Sequence, residues 1–205
     1  EGLGNTYLQI GDPDQAIEMH TRNLEITRRL GDVAGEGAAL GNLGTIHHEL
    51  EDYARAVDYH QQDLAIAQQI GEKHAEEAAC VNLANALSEL GQYGQATKLY
   101  ERALDISQQL GDQWGQGNIL SNWGETLIKQ KQYADALEML HRSLDIARSL
   151  SSRRLEVYAL YHLSILHHRT CHPNIATEYC DRALLLATEL GLGLVTDIQQ
   201  LRLSL

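Results

Sequence analysis

Residues 41–44 of the chain are GNLG, and the same pattern returns as VNLA at 81–84 and as SNWG at 121–124. The three copies stand 40 residues apart, and each has an asparagine in its second position. Asn is a mediocre helix former because its amide competes for nearby backbone groups. A fixed period of this kind is typical of a solenoid built from repeated helical units. The period therefore predicts the fold more strongly than any single motif does.

Short polar marks separate the helical stretches and follow the same period. They are LGD at 30–32, IGE at 70–72 and LGD at 110–112 in one series, and IGD at 10–12, LED at 50–52 and LGQ at 90–92 in the other. Between the marks, apolar residues recur at steps of three and four, as at Tyr53, Ala56, Val57, His60 and Leu64. This spacing predicts amphipathic helices, and no stretch shows the period of two that a strand would have. Each repeat is therefore predicted to contain two antiparallel helices, a first helix and a second helix.

Proline and glycine fall where such helices should begin and end. Pro13 and Pro173 stand at the predicted start of a second helix, the position that proline tolerates best. Asp12 precedes Pro13 as an N-cap, with Gln15 placed to complete a capping box. Six glycines fit the left-handed residue that ends a helix. They are Gly11, Gly31, Gly71, Gly91, Gly111 and Gly191.

This register resembles that of the tetratricopeptide repeat family. The pattern of that family is a large residue, Leu-Gly, an aromatic residue, Gly-x-Tyr, Ala, a second aromatic residue and Ala. One repeat supplies Leu40, Leu43-Gly44, His47, Leu50, Tyr53, Ala56, His60 and Leu64. The phrases GEGAALGNLG at 35–44 and HQQDLAIAQQIGE at 60–72 are similar to the long repeats of the LGN/Pins polarity adaptors and of kinesin light chains. HEAT repeats have a comparable length but lack this register.

The resemblance covers essentially the whole chain and implies an all-α fold, a right-handed α-α superhelix of about five helix pairs. We expect a single array over residues 1–205. Its repeats are expected near 1–31, 32–71, 72–111, 112–151 and 152–191, with a terminal or capping helix at 192–205. Because the chain begins at Glu1 rather than Met, we expect it to be a fragment of a longer protein.

Composition narrows the class of partner. The chain has 16 basic and 28 acidic residues, a net charge of −12, so it should repel the phosphates of nucleic acid and accommodate a basic or neutral partner more easily. Its three cysteines have no regular spacing, which favours a reducing compartment. No apolar run reaches the length of a membrane span, and no signal peptide is visible. We therefore expect a cytoplasmic protein without membrane insertion.

The recurring asparagines are the main candidates for a binding site. In a solenoid of this kind the first helices line a concave groove. Asn42, Asn82 and Asn122 are predicted to form a ladder there, with His162 on the fourth rung. An Asn amide has one acceptor and two donors, enough to bond both the N–H and the C=O of an extended peptide. In LGN/Pins and kinesin light chain proteins the matching asparagines contact bound peptides, and the resemblance implies the same here.

Other positions on the same face extend this candidate site. They are Asn5, Thr45, Asn85, Glu125, His48, Tyr158 and His168. Of these, His48, Tyr158 and His168, together with His162, are expected to select side chains of an extended segment from a partner protein. The alternative for the asparagines is structural, with each amide bonding a neighbouring helix or water. A clamp for a C-terminal carboxylate is not expected, because Gly41, Val81 and Ser121 stand where its cations would be.

Metal and enzyme chemistry find little support in the sequence. His168, Cys171 and His172 have helical spacing, but the stretch crosses a predicted turn at Pro173, so no metal or cofactor is expected. No phosphate loop, nucleophile elbow or zinc-protease motif is present, and we expect no enzyme within these residues. Glu76 and Glu77 are adjacent on a predicted helix, face different directions and are expected to form a solvated face.

Four of the histidines are predicted to be structural. His47 and His167 share the aromatic position of the repeat, and His20 and His60 share another apolar position. A second hypothesis concerns function as a whole. Long repeats of this kind also form the ligand- or partner-sensing arm of larger signalling ATPases or caspase-like effectors, where they would contact other domains of their own chain.

Overall fold

The computed structural model describes residues 12–205, which form ten α-helices and no strand. Asn5 and Gly11 lie outside this described part. The helices are α1 (Pro13–Leu30), α2 (Val33–Glu49), α3 (Tyr53–Ile70), α4 (Lys73–Glu89), α5 (Tyr93–Leu110), α6 (Gln113–Lys129), α7 (Tyr133–Ser149), α8 (Arg153–Arg169), α9 (Pro173–Leu190) and α10 (Val195–Ser204). Helices α2, α4, α6 and α8 are the first helices of their pairs, and α3, α5, α7 and α9 are the second helices.

The chain divides into two compact units, Glu1–Ile106 and Ser107–Leu205. Within the first unit, α1 to α4 pack in the order of the sequence, and α2 also contacts α4. Within the second unit, α6 to α10 pack in the same sequential way, and α6 also contacts α8. First helices therefore lie beside first helices inside each unit, and the predicted all-α architecture of stacked helix pairs is confirmed.

Helix starts use side-chain caps, as the sequence predicts. Asp12 Oδ1 accepts a hydrogen bond from the Gln15 amide at 3.2 Å, and Pro13 takes the first turn of α1. Asp32 and Asp112 accept from the backbone three residues on, each at 2.9 Å. Such a cap satisfies one of the N–H groups that a helix start leaves without a partner.

Helix ends use one backbone device every 20 residues. Five predicted glycines, at 31, 71, 91, 111 and 191, have the left-handed conformation with φ between 63° and 73°. At the corresponding positions of the other turns the same conformation occurs without glycine. These residues are Glu51, Lys131, Ser151 and Cys171, with φ between 53° and 64°. The turn geometry is therefore dictated by how the helices pack, and glycine only makes it easier.

Close contact between the helices of a pair explains the small residue after each ladder position. A Cβ added to Gly44 would lie 2.5 Å from Cε1 of the buried His60, and one added to Gly124 would lie 2.6 Å from Cδ2 and Cγ of Leu140. Leu40, Leu43 and their neighbours form the core of the first unit beside these contacts. Within the described residues, no helix combines the length and the apolar character needed to cross a membrane.

Replacing Gly124 by Ala is expected to lower the free energy of unfolding by about 1–3 kcal/mol, because Leu140 has no exposed surface and cannot move aside. Gly94→Ala on α5 is the matched control, since a Cβ there meets nothing within 4 Å. The control should leave stability unchanged or raise it by up to about 1 kcal/mol through helix propensity. Urea unfolding followed by circular dichroism measures both, and equal effects of the two variants would contradict the close contact.

Candidate functional site

The predicted ladder residues lie at the edge of the core on the first helices. Asn42, Asn82 and Asn122 are each half-buried, while the leucines that follow the first two are buried. This arrangement agrees with the interpretation that Leu-Gly belongs to the contact between helices and that Asn turns away from it. Asn42 and Asn82 lie in the first unit, and Asn122 lies in the second.

In the first unit the two ladder amides are open to a ligand. Among the described residues the structure shows no hydrogen bond to the side chain of Asn42 or Asn82. Thr45 is exposed one turn beyond Gly41, and its hydroxyl donates to the Gly41 carbonyl at 3.1 Å. Asn85 has a structural contact, because its Oδ1 accepts a hydrogen bond from the Tyr100 hydroxyl at 2.5 Å. The Asn85 amide nitrogen stays available for a further bond.

In the second unit the ladder positions belong to a polar network. The Asn122 amide donates to Asn118 Oδ1 at 3.3 Å, one turn earlier on α6. Nδ1 of His162 lies 3.1 Å from the Ser121 hydroxyl, and its Nε2 lies 3.6 Å from Glu125, which also pairs with Lys129 at 3.0 Å. Burial lowers the pKa of His162 despite the nearby Glu125 carboxylate. The ring is only 6% exposed, so Glu125 is the part of this network closer to the surface.

The remaining candidates have varied surroundings. His48 is half-buried and packs edge-on against Tyr53, with ring centroids 5.2 Å apart. Tyr158 is half-buried, and His168 is exposed. His168 lines a cleft of about 420 Å³ between α8 and α10. The other lining residues are Tyr161, Ile165, Arg169, Asp197, Gln200, Leu201 and Ser204. The sequence pattern did not indicate this cleft, because it depends on how α10 packs beside α8.

The histidines that were predicted to be structural are indeed buried or stacked. His20 and His60 are 2% and 1% exposed, and burial lowers the pKa of His60 to about 4. His47 stacks on Tyr59 with ring centroids 5.3 Å apart, and His167 stacks on Tyr179 at 5.5 Å. Within the described part of the chain, no group of three or more His, Cys, Asp or Glu residues is arranged to hold a metal ion.

One expectation about charged residues is wrong. Glu76 and Glu77 do not form a solvated face, since their exposed fractions are 2% and 8%. Glu76 accepts hydrogen bonds from Lys73 Nζ at 2.8 Å and from the guanidinium of Arg102 on α5. The hydrogen bond from Lys73 lowers the pKa of Glu76 most, burial opposes it, and Arg102 lowers the pKa further. The expectation fails because α4 packs against both α3 and α2, which covers more of its surface than one apolar stripe.

The family model of the tetratricopeptide repeat matches residues 1–69, 38–109 and 115–189. This chain belongs to the tetratricopeptide repeat family. A comparison with curated protein sequences found no match. Solved structures share the fold at low sequence identity. BtubC (BKLC) from P. vanneervenii is 18% identical with a TM-score of 0.74, over 93% of this chain and 81% of that chain.

Two other tetratricopeptide-like structures are similar over nearly the whole chain. A putative kinesin light chain from Podosopora anserina with nearly identical TPR-like repeats has a TM-score of 0.73 and 17% identity, over 93% of both chains. A Rap protein complexed with Competence and Sporulation Factor has a TM-score of 0.80 and 16% identity, over 91% of this chain and 52% of that chain. This chain therefore spans about half the length of the Rap protein. At these identities the likeness establishes the fold alone.

Proposed function

We propose that this tetratricopeptide repeat chain is a protein-interaction module that binds an extended segment of a partner protein. The segment lies along the exposed face of the first helices. The amides of Asn42, Asn82 and Asn122 bond its backbone. Thr45, Asn85, Glu125, His48, Tyr158 and His168 contact its side chains, and His162 acts from beneath through Glu125. The first repeat contributes Asn5.

The open amides of Asn42 and Asn82 are the observation that carries this proposal. They are half-buried and have no hydrogen-bond partner among the described residues. A polar group that is partly removed from water gains more from a new hydrogen bond than a fully solvated group does. Mid-helix Asn also lowers helix propensity, so three occurrences at one repeat position favour a role outside the helix.

Two further observations support a bound protein segment. The Rap protein of the same fold was solved as a complex with Competence and Sporulation Factor, so the fold leaves room for a bound factor. The interior of this chain offers no competing chemistry in its described part, where the buried histidines and carboxylates are engaged in helix contacts. The regulatory-arm hypothesis uses the same surface, with another domain as the bound protein.

The test compares the wild type with Asn42→Ala/Asn82→Ala/Asn122→Ala in selection from a displayed library of random 12-residue peptides. The wild type should enrich a family of peptides, and the triple variant should bind them at least tenfold more weakly, since several backbone hydrogen bonds are lost at once. The thermal midpoint should not fall, because Ala has the higher helix propensity. Asn174→Ala, at an exposed position of α9, is the control and should bind normally. Unchanged affinity of a folded triple variant would overturn the ladder.

A further inference from the structure

One carboxylate of the first unit stands at a position where the other repeats have uncharged residues. Asp63 lies on α3 and is half-buried. At steps of 40 along the chain, the corresponding residues of the other second helices are Asn23, Ala103, Ser143 and Ala183. Ala103, Ser143 and Ala183 have no exposed surface, so this position normally belongs to the contact between the helices of a pair.

Two glycines of α2 make room for this carboxylate. A Cβ added to Gly41 would lie 2.7 Å from Asp63 Oδ2, and a Cβ added to Gly37 would lie 3.4 Å from Oδ1. The corresponding pairs on the other first helices have at least one side chain. They are Glu77 and Val81, Gly117 and Ser121, and Val157 and Tyr161. The space above Asp63 is thus a feature of this repeat.

No group in the described part of the chain neutralises Asp63. The structure shows no hydrogen bond or ion pair to its side chain among those residues, and α2 contains no Lys or Arg. Burial alone raises the pKa of Asp63 to about 6. A desolvated carboxylate without a partner opposes folding, and such a group is typical of a site that awaits a ligand.

The carboxylate borders the candidate groove. Gly41 directly precedes Asn42, and Thr45 lies one turn further on the same face of α2 as Gly41. Thr45 is exposed, and Gly41 and Asn42 are half-buried, so this face of α2 reaches the surface next to Asp63. A side chain of a segment bound at Asn42 would therefore be within reach of the carboxylate.

We propose that Asp63, framed by Gly37 and Gly41, is a subsite for a basic side chain, Lys or Arg, of the bound segment. The subsite rests on the proposed function, because Asn42 holds the backbone that brings the basic side chain to the carboxylate. An ammonium or guanidinium group would supply both the charge and the N–H donors that Asp63 lacks. The chain's net charge of −12 also favours a partner with positive charge. The partner is therefore a protein with an extended segment that contains a basic residue.

The experiment applies the same library of random 12-residue peptides to the wild type, Asp63→Asn, Asp63→Ser and the control Asp58→Asn. Asp58 is exposed on the same helix, so its variant removes an equal charge away from the glycines. Peptides enriched by the wild type should carry Lys or Arg at one fixed position. Both Asp63 variants should lose that preference and bind the selected peptides about tenfold more weakly, whereas Asp58→Asn should retain both.

The outcomes separate the subsite from the groove. Enriched peptides without a basic position, or a basic preference that persists in both Asp63 variants, would overturn the subsite and leave the asparagine ladder standing. Failure of the wild type to enrich any peptide would overturn the proposed function and the subsite with it. In the bound state the carboxyl pKa of Asp63, followed by NMR, should fall below its value in the free chain. An unchanged pKa would also refute a cation at this position.

Discussion

Replacing Arg102 by Met is expected to lower the free energy of unfolding by about 2–4 kcal/mol at neutral pH, because it leaves the buried Glu76 with one cation instead of two. Glu76 is only 2% exposed, while Arg102 and Lys73 are about half exposed. Removing one partner of a buried carboxylate costs more than the pair contributes as a whole, since the charge keeps its desolvation. Urea unfolding followed by circular dichroism gives the difference.

The second unit contains a matched control for this pair. Arg182 and Glu156 occupy the same repeat positions 80 residues later, at 2.6 Å, but Glu156 is 14% exposed and also lies 3.8 Å from Arg148. Arg182→Met should therefore cost about 1 kcal/mol or less, as exposed pairs do. A double variant, Glu76→Leu/Arg102→Met, should recover most of the loss, because no buried charge remains. Equal costs for the two arginine variants would contradict the role of burial.

Acid should diminish the effect of Arg102→Met. The pKa of Glu76 is lowered in the folded chain, so its contribution to stability is present above the pKa of the unfolded state and is lost as pH falls through the folded pKa. Once Glu76 is protonated, Arg102 has no anion to neutralise there. The difference between wild type and variant should therefore shrink at low pH, and a constant difference would exclude the ion pair as its cause.

Replacing Asp63 by Ser is expected to raise the free energy of unfolding by about 1–3 kcal/mol at pH 7. The pKa of Asp63 rises from 3.8 to about 6 on folding, so the folded chain binds this proton more tightly than the unfolded chain does. Its carboxylate therefore destabilises the fold increasingly as pH rises from about 4 to about 6, and the penalty stays constant above that. Only burial causes the shift, and Gly37 and Gly41 are the α2 residues nearest to the carboxylate.

The chain itself contains a precedent for this substitution. Ser143 occupies the same repeat position, and its hydroxyl donates to the Gly117 carbonyl at 2.7 Å. Gly117 corresponds to Gly37, so a hydroxyl introduced at position 63 has an equivalent acceptor. Unfolding free energies of wild type and Asp63→Ser, measured at intervals between pH 4 and pH 8, should diverge as pH rises. A variant less stable than the wild type at pH 7 would show that the carboxylate has a stabilising partner.

These two expectations make the binding test more decisive. Asp63→Ser is predicted to fold at least as well as the wild type while losing the basic preference, so weaker peptide binding cannot be attributed to unfolding. A gain in stability with a loss of binding is the combination expected for a functional residue that strains its surroundings. A purely structural Asp63 would leave the selected peptides unchanged.

Local patterns in the sequence were sufficient for the helices and for their order. The steps of three and four, the caps at Asp12 and Asp32, and the glycine at Gly31 each act within a few residues, so the sequence alone predicted them. The period of 40 then predicted that first helices would lie beside first helices. Even the contact of Gly44 with His60 follows from it, because both residues occupy family positions.

The state of the charged residues, by contrast, was decided by the tertiary structure. Glu76 and Glu77 looked solvated because one helix seen alone has one apolar stripe, whereas α4 has neighbours on more than one side. The burial of His162 and the empty space above Asp63 likewise depend on side chains contributed by other helices, Ser121 and Gly41 among them. Periodicity determines which face a residue occupies, but the desolvation of a charge depends on every helix that covers that face.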